Sequence, residues 1–194
     1  MQFDYTNIPE TVALKHALSH KKINGEAGDV NLEDPLLLDK MTQLGWKMVK
    51  TCVCDNGVGF SAPQFGIPRK VFIVIDFEQP EVWKFCGTFG LYMNPTITPV
   101  RKSERYSSPE GCLSVPGKEL LISRPREVEV SYWYFDTKGQ LKHSTGEKLS
   151  GWPSRIFQHE YDHLFGMDIV QLYKRQHTKP KRGRPKGSKN KKKT

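Results

Sequence analysis

The chain has 194 residues, 37% of them hydrophobic, with 30 Lys and Arg against 21 Asp and Glu. That is enough for one domain with a real core, and no apolar run approaches the roughly eighteen residues that a membrane span needs. The formal charge of +9 is a local property: Lys174 to Thr194 holds 11 Lys and Arg and no acid, which leaves 19 basic against 21 acidic residues before it. The opening MQFDYTNIPETVALKH lacks the apolar core of a signal peptide, so a reducing, cytoplasmic setting is expected. Cys52, Cys54, Cys86 and Cys112 do not make a disulfide-dense framework and read as free thiols or metal ligands. The Cys52–Cys54 pair is too closely spaced, among apolar neighbours, to suggest a metal site.

In chain order, the first thirty or so residues are polar and irregular, with NGEAGD (24–29) reading as a loop. A helix follows, with Asp34 as its cap and Pro35 in the favoured first position. Leu37, Met41, Leu44 and Met48 recur at helical spacing and should face the core. KVFIVID (70–76) is a β-branched run and hence a buried strand; LYMNPTITPV (91–100) is another, interrupted by its prolines. EVEVSYWYFD (127–136) alternates, and TKGQ turns it into LKHSTGEKL (141–149), a hairpin. A last helix is expected over about 150–165, with Gly166 placed to stop it. There is no internal repeat. Helix, strands, then helix predicts an α+β domain over residues 1–173, its first 33 residues unassigned, followed by a disordered Lys/Arg-rich tail over 174–194.

The last helix carries QHEYDHLFG (158–166). His159 and His163 are four residues apart, so both imidazoles fall on one face with Trp152 and Ile156 and can reach one ion. Glu160 lies beside that face, the H-E-x-x-H arrangement of two ligands and a general base. Taken alone, the same residues describe an amphipathic helix end with two surface histidines. The third ligand does not lie downstream. The metzincin extension would need histidine where Ile169 stands, and after Gly166 the only acid is Asp168. Upstream, Cys112 in EGCLSVPG (110–117) is the strongest candidate, because a thiolate with two imidazoles leaves a fourth position open for water. Its bland alternative is a buried free thiol. In GVGFSAPQFG (57–66), Gly57 and Gly59 permit close backbone approach and Gln64 offers an uncharged amide donor.

In this order, GVGFSAPQ, EGCLS and QHEYDHL resemble the G-x-G-x-x-A-x-Q, E-G-C-L-S and Q-H-E-x-D-H-L segments of peptide deformylases, a likeness that spans about residues 35–170. The resemblance implies a small α+β domain whose motif helix packs among antiparallel strands. It implies Cys112, His159 and His163 as metal ligands, with Fe²⁺ as the usual ion and Zn²⁺, Ni²⁺ or Co²⁺ able to replace it. The implied reaction removes the N-formyl group from N-formylmethionyl nascent chains and releases formate. Glu160 would be the general base; Gln64 and the Leu113 N–H would donate to the formyl oxygen. Backbone at Val58, Gly59 and Gly111 would bind an extended peptide, with Trp152, Arg155 and Ile156 at pocket positions. Glu110 and Asp162 are assigned supporting roles, Asp162 orienting a ligand or pairing with a cation. Phe60 and Ser61 depart from the aliphatic residue and alanine more usual there, which is expected to alter the pocket's shape; Trp152 and Arg155 replace smaller apolar residues. Two other readings are a different metallo-amidase or peptidase on the same scaffold, and a nucleic-acid-binding protein with an inactive domain.

The basic tail cannot bury a core. One reading is a solvated, solubilising segment; a sharper one is nucleic-acid binding driven by counterion release. Arg182-Gly-Arg184-Pro, followed by Lys186, is similar to an AT-hook, whose arginines enter A·T-rich minor grooves. Ribosomal RNA would attract the same charges and is slightly preferred, since it lies beside the nascent chain.

Overall fold

A computed structural model describes residues 25–75 and 89–178. The first helix, α1 (Leu37–Cys54), starts later than its sequence signals suggest. The Asp34 carboxylate accepts the Leu36 N–H and its carbonyl accepts the Leu37 N–H, both at 2.9 Å. Asp34 and Pro35 are therefore spent on a turn ahead of the helix, and Leu36 occupies the cap position with no side-chain bond. Leu37, Met41, Leu44 and Met48 are buried as their spacing predicts.

Strands β1 (Gly59–Ser61), β2 (Val71–Val74), β3 (Gly90–Pro99), β6 (Glu127–Phe135) and β7 (Leu141–Ser150) form one sheet in the order β1-β2-β3-β6-β7. Every neighbouring pair is antiparallel. β4 (Arg105–Gly111) and β5 (Glu119–Pro125) make a separate two-stranded hairpin. Both faces of the large sheet are covered, which explains the unbroken apolar run of β2. Val71, Ile73 and Ile75 join the α1 side with Leu91, Met93 and Phe135. Phe72 and Val74 point the other way, with Tyr92, Val128, Val130 and Tyr132, onto helix α2 (Gly151–His163). Period-two alternation thus serves two cores rather than one core and solvent. The prolines expected to interrupt β3 do not break it: Pro95 falls with Asn94 in a bulge, and Pro99 is its last residue. Asn94 takes a φ of 47° there and uses its side chain to accept the Val30 N–H at 2.7 Å and donate to the Val30 carbonyl at 3.0 Å. The loop before α1 is thereby fastened to the sheet.

Beyond α2, Gly166 adopts a φ of 68° and its N–H caps the His163 carbonyl at 3.1 Å. Asp168 and Gln171 then form a reciprocal capping pair at 2.9 Å each way. They start a helix that the sequence reading did not anticipate, α3 (Ile169–His177). The expected boundary at residue 174 is therefore too early: Lys174, Arg175 and His177 form the last helical turn, where cations suit the helix dipole. Ile169 is buried beside Cys112 and Ile122. The rest of the basic tail, with Arg182, Arg184 and Lys186, lies outside the described residues, as do residues 1–24 and Cys86. No helix among the described residues is long and apolar enough to cross a membrane.

Phe157 is the main contact of α2 with the sheet, edge-on to Phe72 at 4.8 Å and to Tyr92 at 5.2 Å between ring centroids. It is fully buried. Phe157→Ala should lower stability by about 3–5 kcal/mol, read as an earlier urea midpoint with an unchanged slope.

Candidate active site

Three segments far apart in sequence converge on α2. The helix turns by about 100° per residue, so its neighbouring side chains serve different partners. Phe157 and Leu164 face the sheet. His159, Arg155 and Asp162 face the β4–β5 hairpin through Glu110 and Arg124. Glu160 faces β1 through Ser61.

Cys112 follows directly on β4, and its Sγ lies 3.3 Å from His163 Nε2. The ligand atoms of Cys112, His159 and His163 all lie within 4.8 Å of one another, a grouping able to hold a metal ion. Glu110 completes the setting. It receives Arg124 Nε at 2.7 Å, Arg124 Nη2 at 2.9 Å and Arg155 Nη1, and its Oε2 is 3.1 Å from His159 Nδ1. An ionised carboxylate can only accept, so Nδ1 holds a proton toward Glu110, and Nε2 is the atom that a metal would take in place of its proton. Burial disfavours charge on the His159 ring, but Cys112, Glu110 and Glu160 around it outweigh burial and push it up to about 10. This gathering of negative groups suits a divalent cation, and a Cys/His₂ donor set suits Fe²⁺ and Zn²⁺ alike.

The glycines of GVGFSAPQ are required by contact. A Cβ at Gly57 would stand 2.9 Å from Leu113 Cδ1 and 3.0 Å from Cys52 Sγ; one at Gly59 would stand 2.5 Å from Glu160 Oε1. Gly57 thus admits the Cys112 segment and Gly59 admits the helix. Cys52, buried, donates its thiol to the Gly59 carbonyl at 3.3 Å, while Cys54 is exposed; both are free thiols. Glu160 is 4% exposed, and burial pushes its carboxyl up. Gln64 is oriented at both ends: its Oε1 accepts the Ser61 N–H at 2.7 Å and its Nε2 donates to Ser114 Oγ at 3.0 Å. Among the described residues nothing accepts the second Nε2 hydrogen. Among the described residues nothing accepts the Leu113 N–H.

A cleft of about 860 Å³ runs past this cluster, lined by Val58, Gly59, Gln64, Gly111, Leu113, Trp152, Arg155, Ile156, His159 and Glu160. Trp152 is half exposed at its mouth, whereas Arg155 is 2% exposed. The Arg155 guanidinium is engaged with Glu110, the Ile122 carbonyl at 3.2 Å, and the hydroxyl and carbonyl of Tyr106 at 3.2 and 2.9 Å. It therefore ties α2 to the hairpin as well as lining the cleft. Phe60 and Ser61 do not shape the pocket as expected. Phe60 is in the α1-side core, and Ser61 binds Glu160.

Arg124, Ser114 and the bond of Ser61 to Glu160 have no place in the sequence reading. Arg124 had a signal, since it shares the inward face of β5 with buried Ile122. It also pairs with Asp162 at 2.8 Å. Ser61 and Ser114 had none, because their partners are 99 and 50 residues away.

Burial alone would raise the Glu110 carboxyl; hydrogen bonds from His159 and Arg124 overcome it and hold the group at about 2, against an ordinary 4.5. Its stabilising contribution is therefore present above pH 4.5 and is lost as pH falls toward 2. Glu110→Gln leaves two buried guanidinium groups short of counter-charge and should cost about 3–5 kcal/mol near neutral pH. The difference from wild type should shrink across the acid window in urea unfolding at stepped pH.

Residues 17–179 match the family model described as polypeptide deformylase. The chain is 34% identical over 158 residues to the peptide deformylase of Picosynechococcus sp., covering 80% of this chain and 75% of the relative. Its fold superposes with TM-score 0.60 on a probable peptide deformylase from Synechococcus phage S-SSM7, 28% identical over 82% of this chain and 95% of that one. The Met-Ala-Ser-bound peptide deformylase of Acinetobacter baumannii gives TM-score 0.56 at 30% identity, covering 80% and 91% of the two chains. With the family model spanning most of its length and the same α+β fold in solved relatives, this chain belongs to the polypeptide deformylase family, a group of metal-dependent enzymes.

Proposed function

We propose that this enzyme hydrolyses the N-formyl group of N-formylmethionyl peptides in the cytoplasm, releasing formate and a free α-amine. The observation that carries the reading is the convergence of Cys112, His159 and His163 beside the buried carboxylate of Glu160 on one cleft. A divalent ion held by those three residues, Fe²⁺ by family and Zn²⁺, Ni²⁺ or Co²⁺ in its place, would supply Lewis acidity and make water nucleophilic near neutral pH.

The chain's own residues do the rest. Glu160 takes the proton from the attacking water and returns it to the departing amine; its raised affinity for protons suits both halves of that transfer. Gln64 Nε2 and the Leu113 N–H donate to the formyl oxygen as charge gathers there, each contribution being about 3 kcal/mol in comparable sites. The peptide lies in the cleft beside β1, the marginal strand of the sheet, against backbone at Val58 and Gly59, with Gly111 opposite. No atom comes within 4 Å of a Cβ built at Gly111 except the Lys118 carbonyl at 4.0 Å, so the missing side chain leaves room for a strand. Trp152 and Ile156 supply apolar wall for the methionine side chain, and Arg155 backs it with a guanidinium already bound elsewhere. The bound Met-Ala-Ser of the Acinetobacter relative is a ligand of the matching class.

Glu160→Gln should keep its metal and lose about two to four orders of magnitude in formate release from a formyl-Met peptide. Metal analysis under anaerobic conditions joined to the formate assay reads both; near-wild-type turnover would remove Glu160 from the reaction.

The tail is a second contributor. Residues 179–194 carry cations without acids, and we assign them to ribosomal RNA, which holds the catalyst near emerging chains. A/T-rich DNA bound through Arg182, Arg184 and Lys186 is the alternative. Deleting 179–194 should reduce deformylation of ribosome-bound chains at physiological salt and leave a short formyl peptide unaffected. Equal effects on the two substrates, or retarded mobility only with A/T-rich duplex, would reject the ribosomal assignment.

A further inference from the structure

The Glu160 carboxylate is almost wholly enclosed, and among the described residues it has one hydrogen-bond donor, Ser61. Ser61 is itself fully buried. Its Oγ lies 2.6 Å from Glu160 Oε2 and 3.0 Å from the Glu160 carbonyl oxygen, so one hydroxyl stands between the side chain and the main chain of the same residue. The two carboxylate oxygens are therefore distinguished. Oε2 is turned to Ser61, which does not line the cleft; Oε1 lies over Gly59, which does. The backbone N–H of Ser61 meanwhile fixes Gln64 Oε1 at 2.7 Å and turns the amide nitrogen outward.

We propose that Ser61 is a positioning residue for the general base: its hydroxyl anchors Glu160 by Oε2, so that Oε1 is the oxygen presented to the attacking water. This rests on the deformylase reading above. In this chain the Ser61 hydroxyl is the hydrogen bond that sets the rotation of the Glu160 carboxylate, and without it the group is free to turn away from its alignment with the water. The device needs both small residues of β1. Gly59 makes room for the working oxygen, and Ser61 holds the idle one.

Ser61→Ala removes the hydroxyl, keeps the N–H that orients Gln64, and adds no volume. On a formyl-Met tripeptide with anaerobically metal-loaded protein, kcat should fall roughly tenfold or more, with KM and metal content unchanged. Ser61→Thr, which restores a hydroxyl, should recover most of that loss. A wild-type kcat in Ser61→Ala overturns the proposal. So does a loss that appears in metal content or KM instead of kcat, or a folded, metal-loaded Thr variant as slow as the Ala variant. If the wild-type protein releases no formate, the deformylase reading fails and this proposal fails with it. If wild type is active and the Ala variant equals it, this proposal fails alone.

Discussion

The site depends on a single buried carboxylate. Glu110 gathers Arg124 from the other strand of its hairpin, and Arg155 and His159 from α2. Cys112 is two residues further along the same backbone, so whatever fastens Glu110 to α2 also sets the distance from thiol to imidazoles. Ionic groups of this kind gain little net stability over a well-packed apolar patch, because their desolvation cost offsets most of the attraction. An apolar patch would hold the hairpin down equally well. It would not fix which nitrogen of His159 carries the proton, and it could let β4 slide against the helix. Direction is the return on the cost: four donors converge on two oxygens, and few arrangements satisfy them all.

Helix α2 has to meet the sheet, the hairpin and β1 within 13 residues. That requirement explains a composition that looks poor for a core helix. Arg155, Gln158, Glu160 and His163 are all buried, and each has a polar partner in a different part of the fold. The apolar contribution is concentrated in Ile156, Phe157 and Leu164, against the aromatic face of Phe72, Tyr92 and Tyr132. Rigid packing on one side therefore supports polar precision on the other two, and the aromatic cluster is part of the catalytic apparatus in the mechanical sense.

Much of this was legible in the sequence wherever the signal was local. Leu37, Met41, Leu44 and Met48 declare a helix face, and TKGQ between alternating runs declares a hairpin. His159 and His163 share a face because the helix repeat requires it. What was illegible depended on distance or on competition between local signals. Asp34 and Pro35 look like a helix start, yet the same side chain closes a turn just as well, and the turn won. Helix α3 was hidden because Lys174 and Arg175 read as the beginning of a charged tail, although the Asp168–Gln171 pair marks a helix start. Strand β4, RYSSPEG, has little β propensity and a proline; it is a strand because β5 and α2 hold it in place. Arg155 read as a pocket residue because its helix face is right, but the partners that occupy its guanidinium are 33 to 49 residues away.

The position of β1 joins the fold to the proposed chemistry. A strand at the edge of a sheet exposes unpaired N–H and C=O groups and invites pairing with any extended chain, a hazard that proteins usually suppress by keeping edges short or charged. Here the edge is only three residues long and has no charged side chain, but its neighbour in space is the cleft. A marginal strand beside the cleft is useful if the substrate is an extended peptide read by its backbone, since main-chain bonds are the same for every sequence. The residues of that edge are then constrained from the opposite side. Gly59 cannot carry a side chain because Glu160 lies against it, and Ser61 is small, buried and bonded to Glu160. One short strand would thus border the substrate on its cleft side and seat the proton carrier against its small residues. An enzyme that deformylated chains of many sequences would need that economy, because it would have to align one acyl group accurately while remaining indifferent to the side chains that follow.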